Sequence, residues 1–286
     1  MEGPSWIPGP GGIVVGPPDG EDAGRPHRPG ARFDIGPSRY GPDLGARRSQ
    51  EVHETRLDRG PGARFAGAVT EIPLNRRIVW VALRPDATRA ELETSFREAR
   101  SFGCQVVAVT GARVEVAVAS LAESPVKVAA LVGFPFGASD SDAKRYEAEV
   151  AVDAGAQEIQ CVANMGWLRE GQMKPLVREL RDVREAADER PVTAIFEWGM
   201  LDADAKRRAV QATLEAEIQF LATGTGCAAR KATPDEIEEL REWAGPELGL
   251  TAVGGVQTVS DALALVAAGA NRVGVFALGP LIGEGN

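Results

Sequence analysis

Eight short runs of apolar and β-branched residues recur along the chain from residue 78 onward, and amphipathic stretches fill most of the gaps between them. The runs are Val79–Leu83, Val106–Thr110, Val126–Phe134, Glu158–Asn164, Val192–Glu197, Phe220–Gly224, Gly249–Gly255 and Arg272–Ala277. The intervening patterns include ATRAELETSFREARSFG, DSDAKRYEAEVAVDAGA, KPLVRELRDVREAAD and DADAKRRAVQATLEAE. Strands alternating with helices predict a parallel sheet. Eight is the number that closes such a sheet into a barrel, and about 210 residues suit a compact one. An open doubly wound sheet is the rival. Against it, no GxGxxG turn follows the first strand, and a glycine pair instead comes late, at Gly254-Gly255, where barrels commonly bind phosphate. Helix boundaries are marked by the capping residues Ser141, Asp202 and Thr233, the last followed by Pro234, and by Gly103, Gly155 and Gly269 before the next strands. The predicted fold is an α/β (β/α)₈ TIM barrel over residues 71–286, behind a disordered N-terminal tail.

That tail, residues 1–70, has a different texture. Twelve glycines and nine prolines fall within the first sixty residues, and the aliphatic residues show no period. Such a segment buries too little apolar surface to offset its ordering entropy, so disorder is expected. A sharper expectation makes it a docking arm for a partner protein, through SWIPGPGGIVV or its arginines.

Charge and composition exclude several function classes. A net charge of -9 counts against sequence-independent binding of nucleic acid. Cys104, Cys161 and Cys227 have no metal-type spacing, which predicts reduced thiols. Both histidines, His27 and His53, lie in the tail, so neither a Ser-His triad nor a His-rich zinc site is expected in the barrel. No signal-peptide pattern and no membrane-spanning run is seen, which predicts a cytoplasmic chain without a membrane partner. No cofactor or metal is expected, the ligand is a small molecule, and a homodimer is the default assembly.

In barrels the chemistry sits at the carboxyl ends of the strands. There the sequence resembles a known family. The segment VGFPFGASDSDAKRYEAEVAVDAGAQEIQCVANMG, followed by IFEWGML, FLATGTG, ATPDEIEELRE and GPELGLTAVGGVQTVSDALALVAAGANRVG, is similar in order and spacing to deoxyribose-phosphate aldolases, from about Ile78 to Gly279. The resemblance implies a Schiff base between a strand-six lysine and an aldehyde. It also implies a second lysine on strand seven that lowers the first one's pKa, and a strand-four aspartate that relays protons. This chain departs at all three positions. FLATGTG places Ala222 where the family has the nucleophilic lysine, LTAVGG places Thr251 at the second lysine, and EIQCVAN places Gln160 at the aspartate. Alanine has no amine, and neither threonine nor glutamine titrates near neutral pH.

A smaller polar set remains. Glu197 matches a family glutamate and is the candidate general base; a structural carboxylate is the competing reading. Asn164, closing strand four, is the second catalytic candidate. Gln160, Thr110, Thr223, Thr225 and Thr251 are candidate hydrogen-bonding contacts to substrate, and Trp198 and Phe276 candidate apolar ones. Gly226, Gly254, Gly255 and Lys231 form the candidate anion site, although Phe276-Ala277 stand where the resemblance implies serines after strand eight. Of five lysines, Lys127 starts a strand on the wrong barrel face, and Lys144, Lys174 and Lys206 lie in helical patterns. Only Lys231 falls in a loop at the catalytic mouth.

The leading expectation is a repurposed, lysine-independent enzyme of cyclase, lyase or isomerase type, acting on a fairly apolar molecule in specialised metabolism. Two alternatives stand beside it. One is a non-catalytic relative that binds a metabolite or partner protein; the other is a true aldolase with its lysine relocated to Lys231.

Overall fold

The computed structural model describes residues 72–227 and 232–282. The expected tail, residues 1–70, lies outside the described residues. Eight strands form a closed barrel in the order of the sequence: β1 (Ile78–Val81), β2 (Val106–Thr110), β3 (Lys127–Val132), β4 (Glu158–Val162), β5 (Val192–Ile195), β6 (Phe220–Ala222), β7 (Gly249–Val253) and β8 (Arg272–Val275). Every pairing is parallel, and β8 returns to β1 through Ile78 opposite Val273. Among the described residues the helices are α1 (Arg89–Phe102), α2 (Val114–Leu121), α3 (Ser141–Asp153), α4 (Met165–Arg169), α5 (Met173–Ala186), α6 (Ala203–Glu215), α7 (Pro234–Ala244), α8 (Val259–Ala267) and the short α9 (Gly279–Ile282). None of them is long and apolar enough to cross a membrane.

Strand alternation divides the core in two. One set of buried residues, including Trp80, Val107, Ile159, Ala194 and Leu221, faces the helices. The other, including Val79, Val81, Val106, Ala108, Leu131, Val162, Ile195, Ala222 and Val253, fills the lumen. At the amino end of the strands a buried ion pair crosses the lumen. Arg272 on β8 meets Glu158 on β4 at 2.8 and 3.2 Å, and its guanidinium lies 3.8 Å over the Phe220 ring. Lys127 joins the same carboxylate at 3.7 Å, far from the opposite end where barrel chemistry occurs.

The helix boundaries follow local chemistry. Thr88, Thr233 and Thr258 each close a capping box on the residue three positions on, and Pro234 holds the first position of α7. The cap of α3 is Asp140 rather than the expected Ser141. The Asp140 carboxylate accepts the Asp142 N–H at 2.9 Å, and Ser141 turns its hydroxyl to Glu179 at 3.1 Å. Several strands stop short of the expected runs because their last residues leave the sheet to form the loops of the mouth.

One of those loops is locked from behind. Lys144 on α3 is fully buried, and its ammonium donates to the carbonyls of Gly137 at 2.7 Å and Val162 at 2.9 Å while pairing with Glu179 of α5 at 2.9 Å. Gly137 adopts φ +66°, and a methyl group there would lie 2.3 Å from the Ala163 carbonyl oxygen, so the loop after β3 accepts only glycine at this point.

Candidate active site at the barrel mouth

The three positions at which the sequence departs from its resemblance do lie together. Gln160, Ala222 and Thr251 are buried on the lumen side of β4, β6 and β7, and Ala222 pairs in register with Thr251. Their neighbours Val79, Val81, Ile195 and Val253 are apolar. This layer offers an amide and a hydroxyl to a neutral ligand but no titratable group. Thr110 ends β2 on the same side and is exposed at the mouth.

Glu197 follows β5 and faces the loop after β6. Its Oε1 accepts the Thr225 N–H at 3.0 Å and the Thr225 hydroxyl, while Oε2 lies 3.1 Å from where a side chain on Gly224 would begin. The Thr225 hydroxyl in turn accepts the Cys227 N–H at 3.1 Å. The carboxylate therefore holds the loop that connects β6 to α7, and Thr225 is committed to that task.

Asn164 caps α4. Its side-chain oxygen accepts the Trp167 N–H at 3.2 Å, and its own N–H donates to Glu179 at 3.2 Å. Thr223 points away from the lumen, and its hydroxyl takes the Val253 N–H at 2.9 Å, stitching β6 to β7.

Trp198 is placed differently from the sequence expectation. It is 1% exposed and packs outward against Trp243 of α7, ring centroids 6.3 Å apart, with the Lys206 ammonium 5.3 Å from its ring. Its main-chain N–H binds Thr223, which turns the side chain under the helices instead of over the mouth. As an apolar contact to substrate it is out of position.

Phe276, after β8, is 41% exposed and does reach the mouth. Its ring lies over Gly226. A methyl group on that glycine, whose φ is +80°, would fall 1.8 Å from Cζ and 2.3 Å from Cε2. Gly254 and Gly255 also have positive φ, 101° and 81°. Lys231, the remaining member of the expected anion site, lies outside the described residues.

The other lysines are where the sequence puts them. Lys127 sits at the far end of the barrel, while Lys144, Lys174 and Lys206 lie on α3, α5 and α6. Burial pushes the thiols of Cys104 and Cys161 up to about 12, which makes both inert; Cys227 is exposed. Among the described residues no three His, Cys, Asp or Glu side chains converge to hold a metal.

Sequence reasoning missed the buried Lys144–Glu179 pair, yet the pattern carried a signal. Lys144 shares a helix face with Ala148 and Ala151, and Glu179 falls between Leu176, Leu180 and Val183, so both occupy inward positions.

Comparison with known proteins places this geometry. A family model described as DeoC/LacD family aldolase matches residues 80–283. A deoxyribose-phosphate aldolase of Streptococcus equi subsp. zooepidemicus is 35% identical over 204 residues, covering 71% of this chain and 93% of the relative. One from Alkaliphilus oremlandii is 38% identical, covering 68% and 88%. Among solved structures, an aldolase called QR15 superposes with a TM-score of 0.68 at 28% identity, covering 71% of this chain and 91% of its own. These relatives overturn the leading expectation of a repurposed cyclase or isomerase for an apolar molecule, and that of a non-catalytic relative. Those readings rested on one layer of the lumen. The similarity instead runs through nearly the whole length of proteins named for aldol chemistry.

Proposed function

Because this chain belongs to the DeoC/LacD family of aldolases, we propose that it is a carbon–carbon lyase of deoxyribose-phosphate aldolase type, with its imine formed on Lys231. The observation that carries the reading is coverage: relatives bearing that name align over about nine-tenths of their length.

The reaction class sets what the residues must do. An amine adds to the substrate aldehyde and releases water, giving an iminium ion. Loss of the proton from the 3-hydroxyl then breaks the bond between C2 and C3, and the electron pair flows to the iminium nitrogen to give an enamine. Protonation at C2 and hydrolysis release the second aldehyde and restore the amine. Ala222 cannot supply that amine. Lys144 is locked on two carbonyls and Glu179, and Lys127 is at the wrong end. Lys231 comes nine residues after Ala222 in the sequence, and Glu197 holds Thr225 between them. Gln160 and Thr251 are suited to orient the carbonyl and hydroxyl groups, but neither accepts a proton at neutral pH. Glu197 is the carboxylate beside this loop and the candidate proton acceptor.

Cleavage of deoxyribose phosphate, followed by reduction of the two-carbon aldehyde with an NADH-linked dehydrogenase, tests the reading. The wild type is expected to turn over, and Lys231→Met to lose about three orders of magnitude or more, as removal of a covalent nucleophile does. Absence of wild-type turnover with deoxyribose phosphate and with deoxyribose alike, or full activity in Lys231→Met, would overturn it.

A further inference from the structure

We propose that Phe276 is a specificity-determining residue, whose ring closes the glycine turn after β6 to a substrate phosphate and favours unphosphorylated hydroxyaldehydes. The substrate half of this inference rests on the aldolase reading above; the binding half does not.

The first support is space. An anion held by main-chain N–H groups needs its oxygens about 2.7–2.9 Å from the nitrogens, which requires open volume against a glycine turn. At Gly226 that volume is filled on the side-chain side. A single added carbon would come within 2.8 Å of three ring carbons of Phe276. A benzene ring offers an anion no hydrogen-bond donor.

The second support is attachment. The Trp80 indole N–H points at the Phe276 carbonyl, 3.4 Å away, and Trp80 is buried edge-on against Phe96 with ring centroids 6.2 Å apart. The stretch of main chain that carries the ring is thus tied to β1 and α1.

The third is charge. Phe276 and Trp80 border a cavity of about 200 Å³ that also includes Arg84, Glu91 and Ser95. Arg84 is already engaged, 3.3 Å from Asp86 and 3.5 Å from Glu91. A dianion on this side of the Phe276 ring meets Arg84 already paired and the Glu91 carboxylate. A hydroxyl-terminated chain meets hydrogen-bonding groups and an apolar ring, and needs no counter-charge.

The test compares wild type, Phe276→Ser and Phe276→Leu, the last keeping an apolar plug. Inorganic phosphate serves as the binding probe in calorimetry, and deoxyribose with and without its phosphate as the substrate pair. Phe276→Ser is expected to bind inorganic phosphate at least tenfold more tightly than wild type or Phe276→Leu. It is also expected to raise the ratio of kcat/KM for the phosphorylated over the unphosphorylated sugar at least tenfold. Equal phosphate affinity in all three proteins would overturn the proposal, as would a wild type that prefers the phosphorylated sugar as strongly as Phe276→Ser does. If neither sugar is cleaved, the aldolase reading fails, and the phosphate titration still decides the role of Phe276.

Discussion

Glu197 shows how a single residue can be identified in the sequence while the group it holds stays hidden. Its position at the end of β5 marks it as a carboxylate at the mouth. What the sequence does not disclose is the partner: Thr225 lies on the next strand's loop, and only closure of the barrel brings its N–H and hydroxyl to Oε1. A carboxylate accepting two such hydrogen bonds contributes about 1.5–3 kcal/mol each at most, less where water competes. Glu197→Ala is therefore expected to lower stability by roughly 2–3 kcal/mol in urea unfolding. Glu197→Gln, whose amide oxygen still accepts the Thr225 N–H, should lose about 1 kcal/mol or less. Equal losses in the two variants would remove the loop-holding role. Trp198 illustrates the same gap from the apolar side. A tryptophan next to a mouth residue is as easily a core residue, and the register of β5 against β6 turns it under α6 and α7.

At the scale of elements, the strands were legible because fully buried parallel strands are continuous apolar runs, and their helices repeat with a different period. The order of eight pairings and the helix caps at Thr233 and Asp202 followed from local pattern. The links between elements did not, since they depend on side chains distant in sequence. Lys144 is the clearest case. It joins α3, α5, the loop after β3 and the end of β4 through one ammonium. Removing one partner of a buried ion pair costs about 3–5 kcal/mol, because the other charge is left without compensation. Lys144→Met is expected to lose that much, and Lys144→Met with Glu179→Leu to recover a large part of it. The pH dependence has a definite sign. Burial already raises the Glu179 carboxyl and Lys144 opposes that rise, so the single variant raises it further. A carboxyl raised on folding gives stability that is lost as pH increases through its folded value, so the deficit of Lys144→Met should shrink toward acid pH. A deficit independent of pH would place the cost in packing alone.

For the whole molecule, the scaffold and the chemistry diverge. The chain matches the DeoC/LacD aldolase family over residues 80–283, while the lumen layer of Gln160, Ala222 and Thr251 carries no titratable amine and no acid. The sequence made both halves visible, but the reading weighed three lost groups above a similarity that spans 204 aligned residues. With alanine at position 222 and Lys127 at the far end of its strand, the strands offer no amine at the mouth, and the proposed imine falls on Lys231. Borohydride reduction during incubation with deoxyribose phosphate, followed by peptide mass mapping, tests this directly. One reduced adduct is expected, on Lys231, and none in Lys231→Met. A protein that cleaves the sugar phosphate but stays unmodified, or that carries its adduct on another lysine, would contradict it.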